Sequence, residues 1–318
     1  MNEIGLFIIP IKFDTSIKTY NDYLNLAIDL ENYGYTHLFI GEHLTDQRED
    51  IQSSIVFAAA ILSRTKKIKL CLSVIALPHY DIKLLIKQLE DLYKLGNGRL
   101  MIGVGPGALE SDANFLGIDH KKRPELFSSK LPQFKNELKI SSIFKDFKNK
   151  DIFSTILSPF PRKVSNLVES GHSVLSSNFT NPHHYDNHFE CISTAKDFDK
   201  VESKWHIIYN AIPDEKNKLN TNSISIYKET FEYIYQKLGQ KNGNEIMIPN
   251  IKLHDNSIKL KEILFENLIK NIEEIKKHQE NIYNKNLNGF PIINLFDCIS
   301  DNYYVQFIKD FPKNYFNF

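Results

Sequence analysis

Glu42-His43 directly follows the apolar run Leu38-Phe39-Ile40. A buried strand ending there would carry a carboxylate and an imidazole out at its carboxyl end. Catalytic groups of parallel α/β folds commonly occupy that position. An imidazole titrates near neutral pH, which suits proton transfer or the stabilisation of a developing anion. A neutral His43 would accept a proton or donate one hydrogen bond. A hydrogen-bonded loop histidine is the plainer alternative, because polar residues at strand ends are common.

Three further groups carry chemistry by type and spacing. Gly103-Val104-Gly105-Pro106-Gly107 closes another apolar run, and repeated glycines let a backbone approach a flat ligand or a phosphate. With Ala108 the run loosely matches a dinucleotide fingerprint, but Leu109–Gly117 lacks a strong helical face, so a tight turn is the competing reading. Ser158-Pro159-Phe160-Pro161-Arg162-Lys163 joins a hydroxyl and two cations at an expected helix start. That is either a phosphate cradle or a proline-started helix with solvated charges. His183, His184 and His188 cluster around Pro182. Proline and the Asp186-Asn187 pair favour a solvated loop, and no metal site is expected.

The elements that must position these residues alternate between two hydrophobic periods. Ile4–Ile9, Thr36–Ile40, Ile68–Leu77 and Leu100–Val104 read as buried strands. Between them run helical faces: Leu24, Ala27 and Ile28, stopped by Gly34; Ile55, Ala58, Ala59 and Leu62, capped by Ser53 or Ser54; and Ile82, Leu85, Ile86 and Leu89, between Asp81 and Gly96. Short links between alternating strands and helices impose parallel pairing with right-handed crossovers. Four more strands are expected at Ile152–Leu157, Ser173–Ser176, Trp205–Ile212 and Phe290–Phe296, with a late helix through Leu260, Leu264, Leu268, Ile272 and Ile275. Eight strands favour an α/β fold of the (β/α)8 (TIM) barrel type, one domain over residues 1–318. Two polar segments, Asn178–Ser203 and Pro213–Asn256, follow the sixth and seventh strands as long loops of the kind that form lids or binding walls.

The 318 residues are 42% apolar and 25% charged, with 39 basic against 39 acidic residues. That balance argues against a nucleic-acid partner. Cys71, Cys191 and Cys298 show neither disulfide nor metal-ligand spacing. Together with the absence of a charged leader or a bilayer-length apolar stretch, this sets the expectation of a soluble cytoplasmic protein with no membrane association.

Taken in order, these residues resemble the luciferase-like flavin monooxygenases. The block runs from the first strand to about Arg123 through Gly34-Tyr35, Ile40-Gly41-Glu42-His43, Asp50–Phe57 and Arg64-Thr65-Lys66-Lys67-Ile68. It continues through Leu77-Pro78-His79, Gly98-Arg99-Leu100, Ile102–Gly107 and Phe115–Asp119. The resemblance implies a barrel that binds reduced FMN or, less often, the deazaflavin F420. It implies a C4a-peroxyflavin that oxidises a hydrophobic or carbonyl small molecule, a separate NAD(P)H flavin reductase, and commonly a dimer. On it, Glu42-His43 falls on the catalytic pair, and Ser73-Val74 on a non-prolyl cis peptide beneath the flavin ring. Gly105 and Pro106 fall on the strand end against that ring, and Ser158, Arg162 and Lys163 on a phosphate-binding turn. Two departures stand out. The stretch from Arg123 to the fifth strand is short, and Pro106 replaces an arginine that contacts phosphate in several relatives. They support the alternative of a catalytically silent flavin-binding homologue or partner subunit.

Overall fold

The structure, a computed structural model, describes residues 3–8, 19–46, 49, 51–148, 151–156, 171–177, 204–210, 269–270, 272–273, 277, 291–295 and 302–317. Its strands are β1 (Gly5–Ile8), β2 (His37–Ile40), β3 (Lys69–Ala76), β4 (Leu100–Gly105), β5 (Ile152–Ile156), β6 (Ser173–Ser177), β7 (Trp205–Asn210) and β8 (Ile292–Leu295). Each pairs in parallel with the next, and β8 closes on β1 from Gly5↔Ile292 to Ile8↔Leu295. This is the expected (β/α)8 barrel.

The first four strands are largely apolar because both faces are covered. Alternation sends Phe39, Cys71, Met101, Phe153, Leu175, Ile208 and Ile292 into the barrel as one inner cluster. The opposite residues, among them Leu38, Ile40, Leu70, Leu72 and Ile102, join the helices in a larger outer core. Each fully buried Leu, Ile or Phe contributes about 1.5–3 kcal/mol, so the two layers supply most of the force that closes the sheet.

The described helices are α1 (Tyr20–Tyr33), α2 (Ser54–Arg64), α3 (Ile82–Leu95), α4 (Glu110–Phe115), α5 (Arg123–Ile140) and α6 (Asn302–Asn317). Local chemistry sets their ends. Gly34 terminates α1 at φ +99, a left-handed conformation that favours glycine. Ser53, rather than Ser54, caps α2 by accepting from Val56 N at 3.4 Å. Asp81 caps α3 by accepting from Leu84 N at 2.9 Å. Arg99, just before β4, donates to the carbonyls of Leu62, Thr65 and Ile68 at 2.8–3.0 Å, closing the link between α2 and β3.

Three features differ from the sequence expectation. β3 stops at Ala76 and Leu77–His79 form a short 3-10 turn, where Pro78 removes a ladder donor. Leu109–Gly117 does hold a helix, the six-residue α4, which buries only Asp112 and Ala113 and so leaves little hydrophobic periodicity to read. α6 packs against α1 through an apolar face that includes Phe307, Ile308 and Phe311, and it was not anticipated. Of the expected late helix, residues 269–270, 272–273 and 277 are described and helical. Leu260, Leu264, Leu268 and Ile275 lie outside the described residues, as do both polar segments. No described helix is long and apolar enough to cross a membrane.

Candidate active site at the carboxyl end of the barrel

Glu42 and His43 follow β2, Ser73 and Val74 lie in the second half of β3, and Gly105 ends β4 with Pro106 next. Parallel registers Ile40↔Leu72 and Ala76↔Gly105 bring all of them to the carboxyl end of the barrel. The register of β3 against β4 shifts between Leu72 and Ile75, and the Ser73–Val74 peptide inside that irregularity is cis.

The adjacent pair Glu42-His43 parts company. The Glu42 carboxylate turns to the helical layer, where its Oε2 accepts from Ser54 Oγ at 2.8 Å and from Tyr80 OH at 2.7 Å. Its Oε1 is buried without a hydrogen-bond partner. Burial raises the Glu42 carboxyl above its ordinary range, against the opposing pull of those two hydroxyls. Glu42 thus joins the end of β2 to α2 and to the turn after β3.

His43 turns instead to its own loop. Its Nδ1 shares a short hydrogen bond with Oε1 of the buried Glu49, while 33% of the His43 side chain stays exposed. No hydrogen bond engages Nε2 among the described residues, so that nitrogen is the open one. Burial alone would lower the imidazole. The Glu49 carboxylate and its hydrogen bond overcome burial, with Asp112 and Asp46 behind them, and raise it to about 9. This balance favours a cationic His43 at neutral pH, in place of the neutral ring expected from the sequence. The cause is a residue six positions downstream in a loop, outside any strand or helix period. A ring nitrogen of His43 and oxygens of Asp46 and Glu49 lie within 4.8 Å of one another. The Glu49 contact already takes Nδ1, so the trio is an ion pair flanked by a second carboxylate.

Other residues hold the loops after β2, β3 and β4 in place. Asp112 on α4 accepts from Thr45 N at 2.9 Å and from Thr45 Oγ1 at 2.6 Å, tying the loop after β2 to the one after β4. Arg123 at the start of α5 donates to Gly107 O, and to His120 O at 2.9 Å. Lys130 donates to the carbonyls of Pro78 and Tyr80 at 3.0 and 2.7 Å. Of these only Arg123 stood in the quoted block.

Two observations bear on whether a flat polar cofactor fits here. The Ser73 hydroxyl and His79 Nε2 are buried without hydrogen-bond partners, and buried polar groups left so call for a ligand or water. Val74, only partly buried, rests on the inner cluster beside Gly105, where an added Cβ would come within 2.8 Å of Val74 Cγ2. These residues suit a ring system with polar edges. Ser158, Arg162 and Lys163, and the histidines 183, 184 and 188, lie outside the described residues, as do Cys191 and Cys298. Cys71 is a buried free thiol of the inner cluster.

Residues 5–131 match the family model described as luciferase-like monooxygenase. Limonene 1,2-monooxygenase of Rhodococcus erythropolis is 36% identical over 120 residues, which are 37% of this chain and 31% of that protein. The chain thus aligns with about a third of the length of the curated relatives it matches. The oxygenating constituent of 3,6-diketocamphane monooxygenase from Pseudomonas putida, solved with FMN, superposes with a TM-score of 0.70 at 15% identity. The superposition covers 98% of this chain and 96% of that one. An F420-dependent secondary alcohol dehydrogenase, solved with an F420-acetone adduct, gives 0.66 at 17% identity over 98% and 97%. Residues 5–131 thus match the luciferase-like monooxygenase model, and the barrel resembles in fold those of an enzyme solved with FMN and of an F420-dependent one.

Proposed function

We propose that the chain is a flavin-dependent monooxygenase that takes reduced FMN at the carboxyl end of β2 to β4 and oxidises a hydrophobic or carbonyl small molecule. The observation that carries this reading is the convergence of His43, the unpartnered Ser73 hydroxyl and Gly105 at one end of a barrel whose first part has monooxygenase sequence. Val74, Gly105 and Pro106 would hold the ring, and the Ser73 hydroxyl would meet one of its polar edges. Ser158, Arg162 and Lys163 are assigned the phosphate on sequence grounds alone. A bound reduced flavin supplies the electrons that activate oxygen. His43 supplies an N–H donor to negative charge that develops beside the ring, and Glu42 keeps the strand end in place through Ser54 and Tyr80. The likeness to the oxygenating constituent of a diketocamphane monooxygenase supports a separate reductase that delivers the reduced cofactor. An F420-type deazaflavin is the second cofactor choice, favoured by the likeness to the F420-dependent barrel.

Anaerobic titration with photoreduced FMN, with riboflavin and with an F420-type deazaflavin tests this directly. Saturable binding of reduced FMN, followed by oxygen uptake coupled to product from a small apolar ketone or alkene, is the expected result. Binding of none of the three ligands would overturn the reading. Binding without oxygen chemistry would replace it with that of a silent flavin-binding homologue.

A further inference from the structure

Glu49 is buried, lies outside the barrel strands and the helices, and directs a carboxylate oxygen at Nδ1 of His43. Such placement does two things to an imidazole. It fixes the ring's orientation through Nδ1, and it leaves Nε2 as the atom available to a ligand. We propose that Glu49 is the positioning residue of this site, holding His43 as a hydrogen-bond donor that presents Nε2–H to the barrel mouth. The inference rests on the reading of that mouth as the cofactor and substrate site, and it changes the histidine's role. A ring held this way gives a proton or a hydrogen bond to an anionic atom and does not act as a base from its resting state.

The surroundings agree. The charged groups that face His43 among the described residues are Glu42 on its own strand end, Asp46 and Glu49 on its loop, and Asp112 on α4. All four are acidic. His79, from the turn after β3, is close enough to Arg123 of α5 and to Asp112 to feel both, and neither His79 nor Arg123 figures among the charges acting on His43. A lone cation among carboxylates stays protonated, and only Glu49 among them is hydrogen-bonded to it. Loss of Glu49 should therefore free the ring both to rotate and to lose its proton. Loss of Asp46 should leave its orientation unchanged.

The test uses protein labelled with 15N-histidine and no cofactor, with the His43 signals assigned through His43→Asn. In the unmodified protein both His43 nitrogens should stay protonated through neutral pH, with a midpoint of about 9. Glu49→Gln should bring the midpoint back toward the ordinary value of about 6.5, and Asp46→Asn should move it far less. Reduced-FMN affinity measured against pH should show an inflection that shifts in the same direction in Glu49→Gln. A midpoint at or below 6.5 in the unmodified protein, or an unchanged midpoint in Glu49→Gln, overturns the proposal. If Glu49→Gln does not fold, the midpoint of the unmodified protein decides alone. If the titrations come out as expected and no flavin binds, Glu49 retains its role and the cofactor reading falls separately.

Discussion

The Tyr80 hydroxyl donates a 2.7 Å hydrogen bond to Glu42 Oε2, linking the end of β2 to the turn that follows β3. The carboxylate lies next in sequence to the candidate catalytic histidine, yet its two hydroxyl donors come from the start of α2 and from the turn after β3. Removing one donor from a buried carboxylate costs about 1–3 kcal/mol, because the acceptor keeps its desolvation penalty. Tyr80→Phe should therefore lower stability by about that amount at pH 7, read by urea denaturation. It should weaken flavin binding only slightly. A large loss of flavin affinity with unchanged stability would place Glu42 among the ligand-binding groups.

At the opposite end of the barrel, Arg99 satisfies carbonyls at the end of α2 and in the link to β3, and its NH1 also reaches Thr65 Oγ1 at 3.0 Å. Glu31 complements it by accepting from Lys66 N and Ile68 N at 2.8–3.1 Å. Hydrogen bonds from a charged donor are worth about 1.5–3 kcal/mol each and are not additive, so Arg99→Ala should cost at least about 2 kcal/mol. Arg99→Lys should recover only part of this, since an ammonium lacks the planar fork that reaches several carbonyls at once. Thermal melts of both variants check the ordering, and equal stability of the two would refute the fork argument. Flavin binding should survive in both.

How much of this was legible depended on sequence distance. The barrel was readable because βα alternation is a local pattern: Gly34, Asp81 and Gly96 mark helix ends that the structure places within a residue. Ser73, Val74 and Gly105 could be placed at one end because parallel strands share a direction. The site's electrostatics were not readable. Glu49 meets His43 through a loop with no period, and Asp112 meets Thr45 from 67 positions away. Nothing in local composition signals either contact, so the groups that set the histidine's charge cannot be read from the sequence. α6 was missed for a different reason: Pro312 lies inside it, and an interior proline ordinarily argues against a helix.

Arg162 carries the phosphate assignment on sequence grounds. A guanidinium pairs with phosphate oxygens and not with an isoalloxazine ring. Arg162→Ala should then weaken reduced FMN binding about tenfold or more, the equivalent of one lost charge-assisted hydrogen bond, while riboflavin affinity stays the same. Paired titrations of the two ligands decide the matter. Equal losses for both would move the phosphate elsewhere.

His172, just before β6, should contribute to the loss of stability in acid. It is 1% exposed, and its Nδ1 has no hydrogen-bond partner. Burial, with Lys135 on α5 as a second cause, lowers it from 6.5 to about 3. The folded state therefore holds the neutral ring, whereas the unfolded chain takes up a proton below about 6.5. Because the folded value is the lower one, the stabilisation is fully present above pH 6.5 and is lost as pH falls toward 3. Over that window one extra proton on the unfolded state costs up to about 1.4 kcal/mol per pH unit. His43 has the opposite sign: its contribution is complete below 6.5 and disappears as pH rises through about 9. The two windows do not overlap, so denaturant midpoints from pH 4 to pH 10 can separate them. His172→Gln should flatten the acid limb and leave the alkaline limb as it is, and Glu49→Gln should do the reverse. An acid limb that stays as steep in His172→Gln would assign the proton uptake to another buried group, His37 foremost, which burial also holds well below its ordinary value.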